Sequence, residues 1–338
     1  MKRIFLVLLI FSLSTFGKDY TANEEVILFI NNIVHQYGMK TERLHQLFSD
    51  VKVQDRALKL FRPKQVKKRT PQEIERLKKL YPYYGAWDRY RRLKVTPLRV
   101  KQGIAFIRHH IKTFDEVEEK YGVPKEYIAA IIGIETVYGA NVGKYPVFDT
   151  LTSLAFEKNR RNRFFKKELE KYLHLTYAQG IDPKDVYGSY AGAIGLGQFM
   201  PSNYEAYGVD FDGDGRVALQ KTDDAIASIA NYLKKNGWRA GEPVATRVSY
   251  EGMRFKGYKT GYQKTYDAKN LAGITLRDKT WRYKGKVRLI KLNKQHFDEL
   301  WFGAKNFFVI TRYNHSAYYA MAVHQLAQEI KKGLTSEN

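Results

Sequence analysis

The sequence predicts a mainly α-helical (α+β) fold with a small β-rich module inserted into it. Two observations carry this. Apolar residues recur at helical spacing over most of the 338 residues, with caps and breakers between the runs. From Pro243 to about Leu300, short runs of β-formers alternate with Gly-containing turns instead, and helical character then returns at Ala317–Ile330. Hydrophobic residues make up 44%, which suits a packed core and excludes wholesale disorder. The length allows two or three domains.

Taken in order, Met1-Lys2-Arg3, the apolar run Ile4–Phe11 and the small-residue exit to Gly17 have the layout of a secretory signal peptide over residues 1–17. The run is too short to span a bilayer comfortably, so cleavage near Gly17 is the first expectation and an uncleaved anchor the second. Residues 18–100 read as a basic N-terminal helical domain, with Val26, Ile27, Ile30, Ile33 and Val34 at helical intervals and breakers at Pro63 and Pro71. The aromatic stretch Tyr81–Tyr90 is either core or a sugar-stacking platform. Residues 101–242 form the expected core domain. Pro124 opens the helix that carries Glu135, and Ser202 with Glu205 suggests a capping box after Pro201. Ile226, Ile229, Ala230 and Leu233 make a stripe ending before Gly237, a plausible C-cap. In the module, 243–300, strands are expected at Val244–Tyr250, Gly273–Leu276 and Val287–Leu292. Residues 301–338 return to the helical core.

Glu135 is a single carboxylate on an apolar helix. Ile128, Ile131 and Ile132 fall on the same stripe, so the side chain should face the core. Desolvation there would raise its pKa and suit it to general-acid work. A core-edge Glu paired with an Arg is the alternative. The run Gly188-Ser189-Tyr190-Ala191-Gly192 to Gln198-Phe199-Met200-Pro201 packs glycines beside neutral hydrogen-bonding groups. It lacks the Gly-Lys-Ser/Thr ending of a phosphate loop, and could equally be a tight packing turn. In Asp210-Phe211-Asp212-Gly213-Asp214-Gly215-Arg216, alternating carboxylates before a Gly turn resemble the start of an EF-hand loop suited to Ca²⁺. Its twelfth position is Lys221, so a longer loop, 210–224, would have to close on Asp224. A solvated acidic turn is the alternative.

Fifty-eight Lys and Arg against 35 Asp and Glu give a net charge of +23, or +21 without Lys2 and Arg3. Such a surface attracts polyanions. For an exported chain, anionic wall or membrane surfaces are better candidates than nucleic acid. With no Cys, disulfides and an N-terminal lipid anchor are excluded, and the eight scattered His show no zinc spacing.

Together these runs make the chain similar to the lytic murein transglycosylase B family from about Tyr90 to Gln325. The specific matches are Gly133-Ile134-Glu135-Thr136, Ser189–Ala193 running to Gln198–Pro201, Val209–Gly215, and Arg312-Tyr313-Asn314 to Val323. The resemblance implies a lysozyme-like core and a sole catalytic acid at Glu135, with Ser189 and Gln198 beside it. It further implies glycan contacts at Tyr90, Arg160, Arg161, Tyr232, Tyr313, Asn314 and Tyr319. A structural Ca²⁺ would be held by Asp210, Asp212, Asp214, the Arg216 carbonyl and Asp224, with no organic cofactor. Phe164 stands where family members often carry Tyr, which removes a hydroxyl there. Asp149, the next carboxylate after Glu135, is expected to cap a helix starting at Thr150. The implied protein is a periplasmic, monomeric lytic transglycosylase that is not a lipoprotein. It would cleave the MurNAc–GlcNAc β-1,4 bond of peptidoglycan strands to leave 1,6-anhydro ends. A muramidase using water and a non-catalytic peptidoglycan-binding scaffold are the alternatives.

Overall fold

The computed structural model describes residues 17–62, 70–80, 85–218 and 220–336. Residues 1–16 of the expected signal segment and Tyr81–Tyr84 of the aromatic stretch lie outside these residues. The helices are α1 (Glu24–Tyr37), α2 (Thr41–Phe48), α3 (Asp55–Phe61), α4 (Pro71–Leu80), α5 (Ala86–Lys94), α6 (Pro97–His109), α7 (Ile111–Tyr121), α8 (Lys125–Thr136), α9 (Val147–Phe156), α10 (Asn162–Ala178), α11 (Pro201–Tyr207), α12 (Thr222–Lys235), α13 (Lys305–Tyr313) and α14 (Ala317–Ser336). The strands are β1 (Tyr145–Pro146), β2 (Tyr187–Gly188), β3 (Ala245–Tyr250), β4 (Ile274–Leu276), β5 (Arg288–Asn293) and β6 (Asp298–Gly303).

The fold is mainly helical, as expected, and divides into two compact units that interleave along the chain. The first comprises residues 17–62, Tyr145–Val186 and Tyr190–Gly192; the second takes 70–80, 85–144, Tyr187–Ser189 and 193–336. These units cut across the segments 18–100 and 101–242.

In the first unit, the Asn23 side chain caps α1 by accepting from Glu25 N and Val26 N, and Gly38 ends the helix at φ +65°. Val26, Ile30 and Ile33 are buried, whereas Ile27 stays on the surface. Helices α9 and α10 pack together, and α9 starts at Val147, not Thr150. Asp149 is therefore inside the helix rather than its cap. It is buried and paired with Lys184 at 2.8 Å.

In the second unit α8 is the centre, packed by α14, α6, α12 and α7. Residues Glu126 to Ile134 are buried without interruption. The stripe expected from Ile128, Ile131 and Ile132 therefore does not exist as such. The helix is buried on every side, which is why it is apolar all round. Ser202 is not the N-cap expected of it: α11 begins at Pro201 with Met200 as its N-cap, and Ser202 lies inside the first turn. Helix α12 buries Ile226, Ile229, Ala230 and Leu233, and Gly237 follows it at φ +94°.

The module is one antiparallel sheet of order β4-β3-β6-β5. Arg247 faces Trp301 across β3–β6, and Ile290 faces Trp301 across β5–β6. Val248, Phe255, Leu271, Ile274, Val287, Leu289, Leu300 and Phe302 form its own buried cluster. Strand β6 had no counterpart in the sequence-based expectation.

Candidate active site

Glu135 occupies the last turn of α8, half-buried, with Ile134 and Thr136 buried on either side. Burial pushes its carboxyl above the usual range. The hydrogen bond from Tyr319 and the charge of Lys94 pull the other way. The negative end of the helix dipole opposes ionisation as well. Tyr319 Oη donates to Glu135 Oε1 at 2.7 Å. Among the described residues of this unit, no second carboxylate acts on Glu135; its charged and phenolic neighbours are Lys94, Tyr90, Tyr313 and Tyr319.

The backbone beyond Glu135 is strained. Val137 (φ +54°), Tyr138 (φ +56°) and Gln198 (φ +53°) are the non-glycine residues in the left-handed region among the described residues. For a β-branched residue such as Val137 this conformation is unfavourable, and it is held by its surroundings. Tyr138 turns back under the helix and donates to Arg99 O at 2.9 Å. Gly133 makes room for that ring, since a Cβ there would lie 2.5 Å from Tyr138 Oη. Thr136 ties the strained end to the glycine-rich loop. Its Oγ1 donates to Leu196 O at 3.0 Å and accepts from Gly139 N at 3.1 Å.

That loop is a tight reversal in which Ile194 and Phe199 exchange backbone hydrogen bonds of 2.8 and 3.0 Å. Gln198 Nε2 donates to Val142 O (3.1 Å) and Gly195 O (3.0 Å), so both amide hydrogens are used on the backbone. Ser189 Oγ accepts from Ala193 N at 3.1 Å.

Tyrosines connect the loop to the acid. Tyr313 Oη donates to Gly197 O at 2.6 Å, and the Tyr313 and Tyr319 rings lie nearly parallel, 6.4 Å apart. A Cβ on Gly197 would approach Tyr313 Oη to 2.8 Å, which explains a glycine there. Tyr232 is buried with its hydroxyl on Arg312 O at 2.6 Å and its ring 4.9 Å from Tyr313; burial pushes its phenol up to about 12. Tyr90 stacks on Trp87 and its phenol is raised by burial and then by the charge of Glu135. The structure thus brings Tyr90, Tyr313 and Tyr319 to Glu135, with Tyr232 packed on Tyr313, while Gln198 is held on the backbone of Val142 and Gly195. Asn314 is exposed just past α13. Arg160 and Arg161 belong to the first unit, where Arg160 N donates to Phe61 O and the Arg161 guanidinium sits 4.0 Å from the Phe164 ring centre.

Sequence reading missed Lys94 and gave Thr136 no role of its own. Thr136 was within the quoted motif; Lys94 had no local signal, because its link to Glu135 is purely tertiary. A cavity of about 920 Å³ beside α5, α6 and α14, lined by Arg91, Val100, Lys101 and Arg108 among others, does not include Glu135. Chemistry, not cavity size, marks the site.

The acidic loop 210–218 is bent around its own carboxylates. Asp210 accepts from Gly213 N and Gly215 N, both at 2.8 Å, and Asp224 accepts from Phe211 N (2.8 Å) and Ala218 N (2.7 Å). Oxygens of Asp210, Asp212 and Asp224 lie within 4.8 Å of one another. Each retains lone pairs for a hard cation, so the donor set fits Ca²⁺. Lys221, at the position where an EF-hand has its bidentate Glu, pairs with Asp212 at 2.7 Å and with Asp214.

Comparison with known proteins places this geometry in context. A family profile described as a transglycosylase SLT domain matches residues 22–328. The chain is 36% identical over 316 residues to membrane-bound lytic murein transglycosylase B of Escherichia coli (strain K12), covering 93% of this chain and 84% of the relative. It is similar to the E. coli lytic transglycosylase Slt35, at 35% identity over 95% of this chain and 96% of that one. The TM-score is 0.84 for its complex with bulgecin A and 0.83 for its complex with calcium. SltB3 of Pseudomonas aeruginosa, solved with NAG-anhNAM-pentapeptide, is similar at 27% identity and TM-score 0.74, over 93% of this chain and 80% of that one. Among the described residues no helix is long and apolar enough to cross a membrane.

Proposed function

Because the chain belongs to the transglycosylase SLT domain family, we propose that Glu135 is the single acid and base of its reaction on peptidoglycan. The protein is a peptidoglycan lytic transglycosylase. The observation that carries the assignment of Glu135 is a carboxyl held up in pKa by burial, touched by one tyrosine hydroxyl and facing no second carboxylate among the described residues of its unit.

Protonated Glu135 gives its proton to the glycosidic oxygen as the bond from C1 of the muramic sugar breaks, and the GlcNAc hydroxyl leaves. The sugar's own N-acetyl oxygen meets the charge developing at C1. Glu135, now a carboxylate, takes the proton from the C6 hydroxyl as O6 bonds to C1, which closes the 1,6-anhydro ring and restores the acid without consuming water. Ser189, Gln198 and the tyrosines Tyr90, Tyr232, Tyr313 and Tyr319 hold the ring so that O6 reaches C1 before water does. Asn314 is read as a further glycan contact, and Arg160 and Arg161 are read as glycan contacts of the first unit. The Tyr313 hydroxyl, bonded to Gly197 O, fixes the glycine-rich loop, and the Tyr232 hydroxyl, bonded to Arg312 O, fixes the end of α13.

Residues 1–17 are read as the signal for export to the periplasm, the unit that carries Glu135 as the catalytic one, and 243–300 as a module inserted into it. Calcium, when bound to Asp210, Asp212, Asp214, the Arg216 carbonyl and Asp224, would brace the start of α12 and take no part in the proton transfers.

The test is product analysis on purified sacculi. Wild type should release muropeptides ending in 1,6-anhydro-muramic acid, and Glu135→Gln should lose about 10²- to 10⁴-fold in rate. Reducing muramic ends would assign a muramidase, and full activity in the variant would remove Glu135 from the mechanism.

A further inference from the structure

Lys94 closes α5, and its Nζ donates to the carbonyl of Ile134 at 3.1 Å. That carbonyl is one of the last four of α8, which have no intrahelical partner. A cation therefore rests on the negative end of the α8 dipole, one residue from Glu135. Lys94 is half-buried, and burial lowers its pKa while the charge of Glu135 raises it. Placing an ammonium here is unfavourable unless a negative charge appears nearby. Lys94 spends its bond on the backbone rather than on the carboxylate, and the difference matters. A contact ion pair would hold Glu135 ionised and useless as an acid. A cation at one remove favours the carboxylate without capturing it.

We infer that Lys94 is a positioning residue for the proton cycle: it stabilises the Glu135 carboxylate that exists between the two proton transfers, and so sets the alkaline limit of activity. This rests on Glu135 being the acid and base. The groups facing Glu135 are Tyr90 and Lys94 from α5, Tyr313 from α13 and Tyr319 from α14. Arg99 of α6 faces Lys94, and Tyr232 of α12 faces Tyr313. Helix α7, also packed on α8, presents no titratable partner to Glu135 among the described residues. Lys94 is the one cation acting on Glu135 in this set, so its removal has a defined sign.

The experiment is the pH profile of muropeptide release from sacculi for wild type, Lys94→Met, Lys94→Gln and Lys94→Arg, with melting temperatures recorded alongside. Lys94→Met should move the alkaline limb to higher pH and lower the acidic plateau by about three- to tenfold, less than loss of a donor in direct contact. Lys94→Gln keeps a donor for Ile134 O but no charge, and should move the limb in the same direction. Lys94→Arg should restore it. Were the Gln variant to melt like wild type with its limb unmoved or shifted to lower pH, the role of Lys94 would be merely structural and the inference would fall. Loss of activity in Glu135→Gln alongside that result would leave the assignment of the acid standing.

Discussion

The Tyr319 hydroxyl donates to Glu135 Oε1, and a donor to a carboxyl favours its ionised form. Burial works against ionisation and outweighs it, so the carboxyl stays above its ordinary range. Activity as an acid requires the proton and is therefore lost as pH rises through that pKa. Tyr319→Phe removes the donor but keeps the ring stacked on Tyr313. The pKa should then rise further, moving the alkaline limb of the rate profile to higher pH. The rate on the acidic plateau should fall about ten- to a hundredfold, in line with about 1.5–3 kcal/mol for a hydrogen bond to a charged group. A limb displaced to lower pH would mean that the hydroxyl serves the neutral form instead. Glu135 itself could be singled out from the sequence, since a carboxylate in an apolar helix is conspicuous. Tyr319 is named there only as a glycan contact implied by the resemblance and Lys94 not at all, because their action on Glu135 comes from α14 and α5 through the fold and leaves no local signal.

At the scale of elements, the acidic loop shows what local pattern can and cannot convey. Alternating Asp and Gly residues foretold a turn with converging carboxylates, and Asp210, Asp212 and Asp224 do converge. Lys221 was visible as a departure from the EF-hand pattern, yet its position on Asp212 and Asp214 required the fold. Any calcium entering the loop meets an ammonium already neutralising two of its ligands. Calcium should raise the melting temperature and EDTA should lower it, because an ion bound to the native state stabilises it. Calorimetric titration of Lys221→Met should give a lower Kd for calcium than wild type. An unchanged Kd would show that Lys221 does not compete, and a melting temperature indifferent to both additions would count against the site altogether. The wrong expectations elsewhere have a common origin. Asp149 and Ser202 are good caps in isolation, but the helices begin three and two residues earlier, where Pro146 and Met200 turn the chain. The stripe on α8 failed because a helix buried on all sides has no polar face to define one.

Over the whole molecule, helical character and the β-rich insertion were legible because periodicity is a local property. The two interleaved units were not, because no linker-like composition marks where the chain leaves one unit at Lys144 and re-enters it at Tyr187. Net charge is the whole-molecule quantity that sequence does fix, and +23 on 338 residues has a physical consequence for an enzyme working on a polymer. Peptidoglycan carries carboxylates on its peptide stems, so approach to the wall is favoured by the summed field before any subsite is filled. Screening shortens that field from about 10 Å at 0.1 M salt to about 3 Å at 1 M, whereas contacts inside a closed subsite are screened far less. Sedimentation of the Glu135→Gln variant with intact sacculi separates the two contributions without digesting the substrate. The bound fraction should drop steeply as salt is raised, and binding to an uncharged glycan oligomer should change little over the same range. Equal salt dependence for both would place the basic surface in the glycan subsites themselves, and no dependence for either would deny the charge any part in wall attachment.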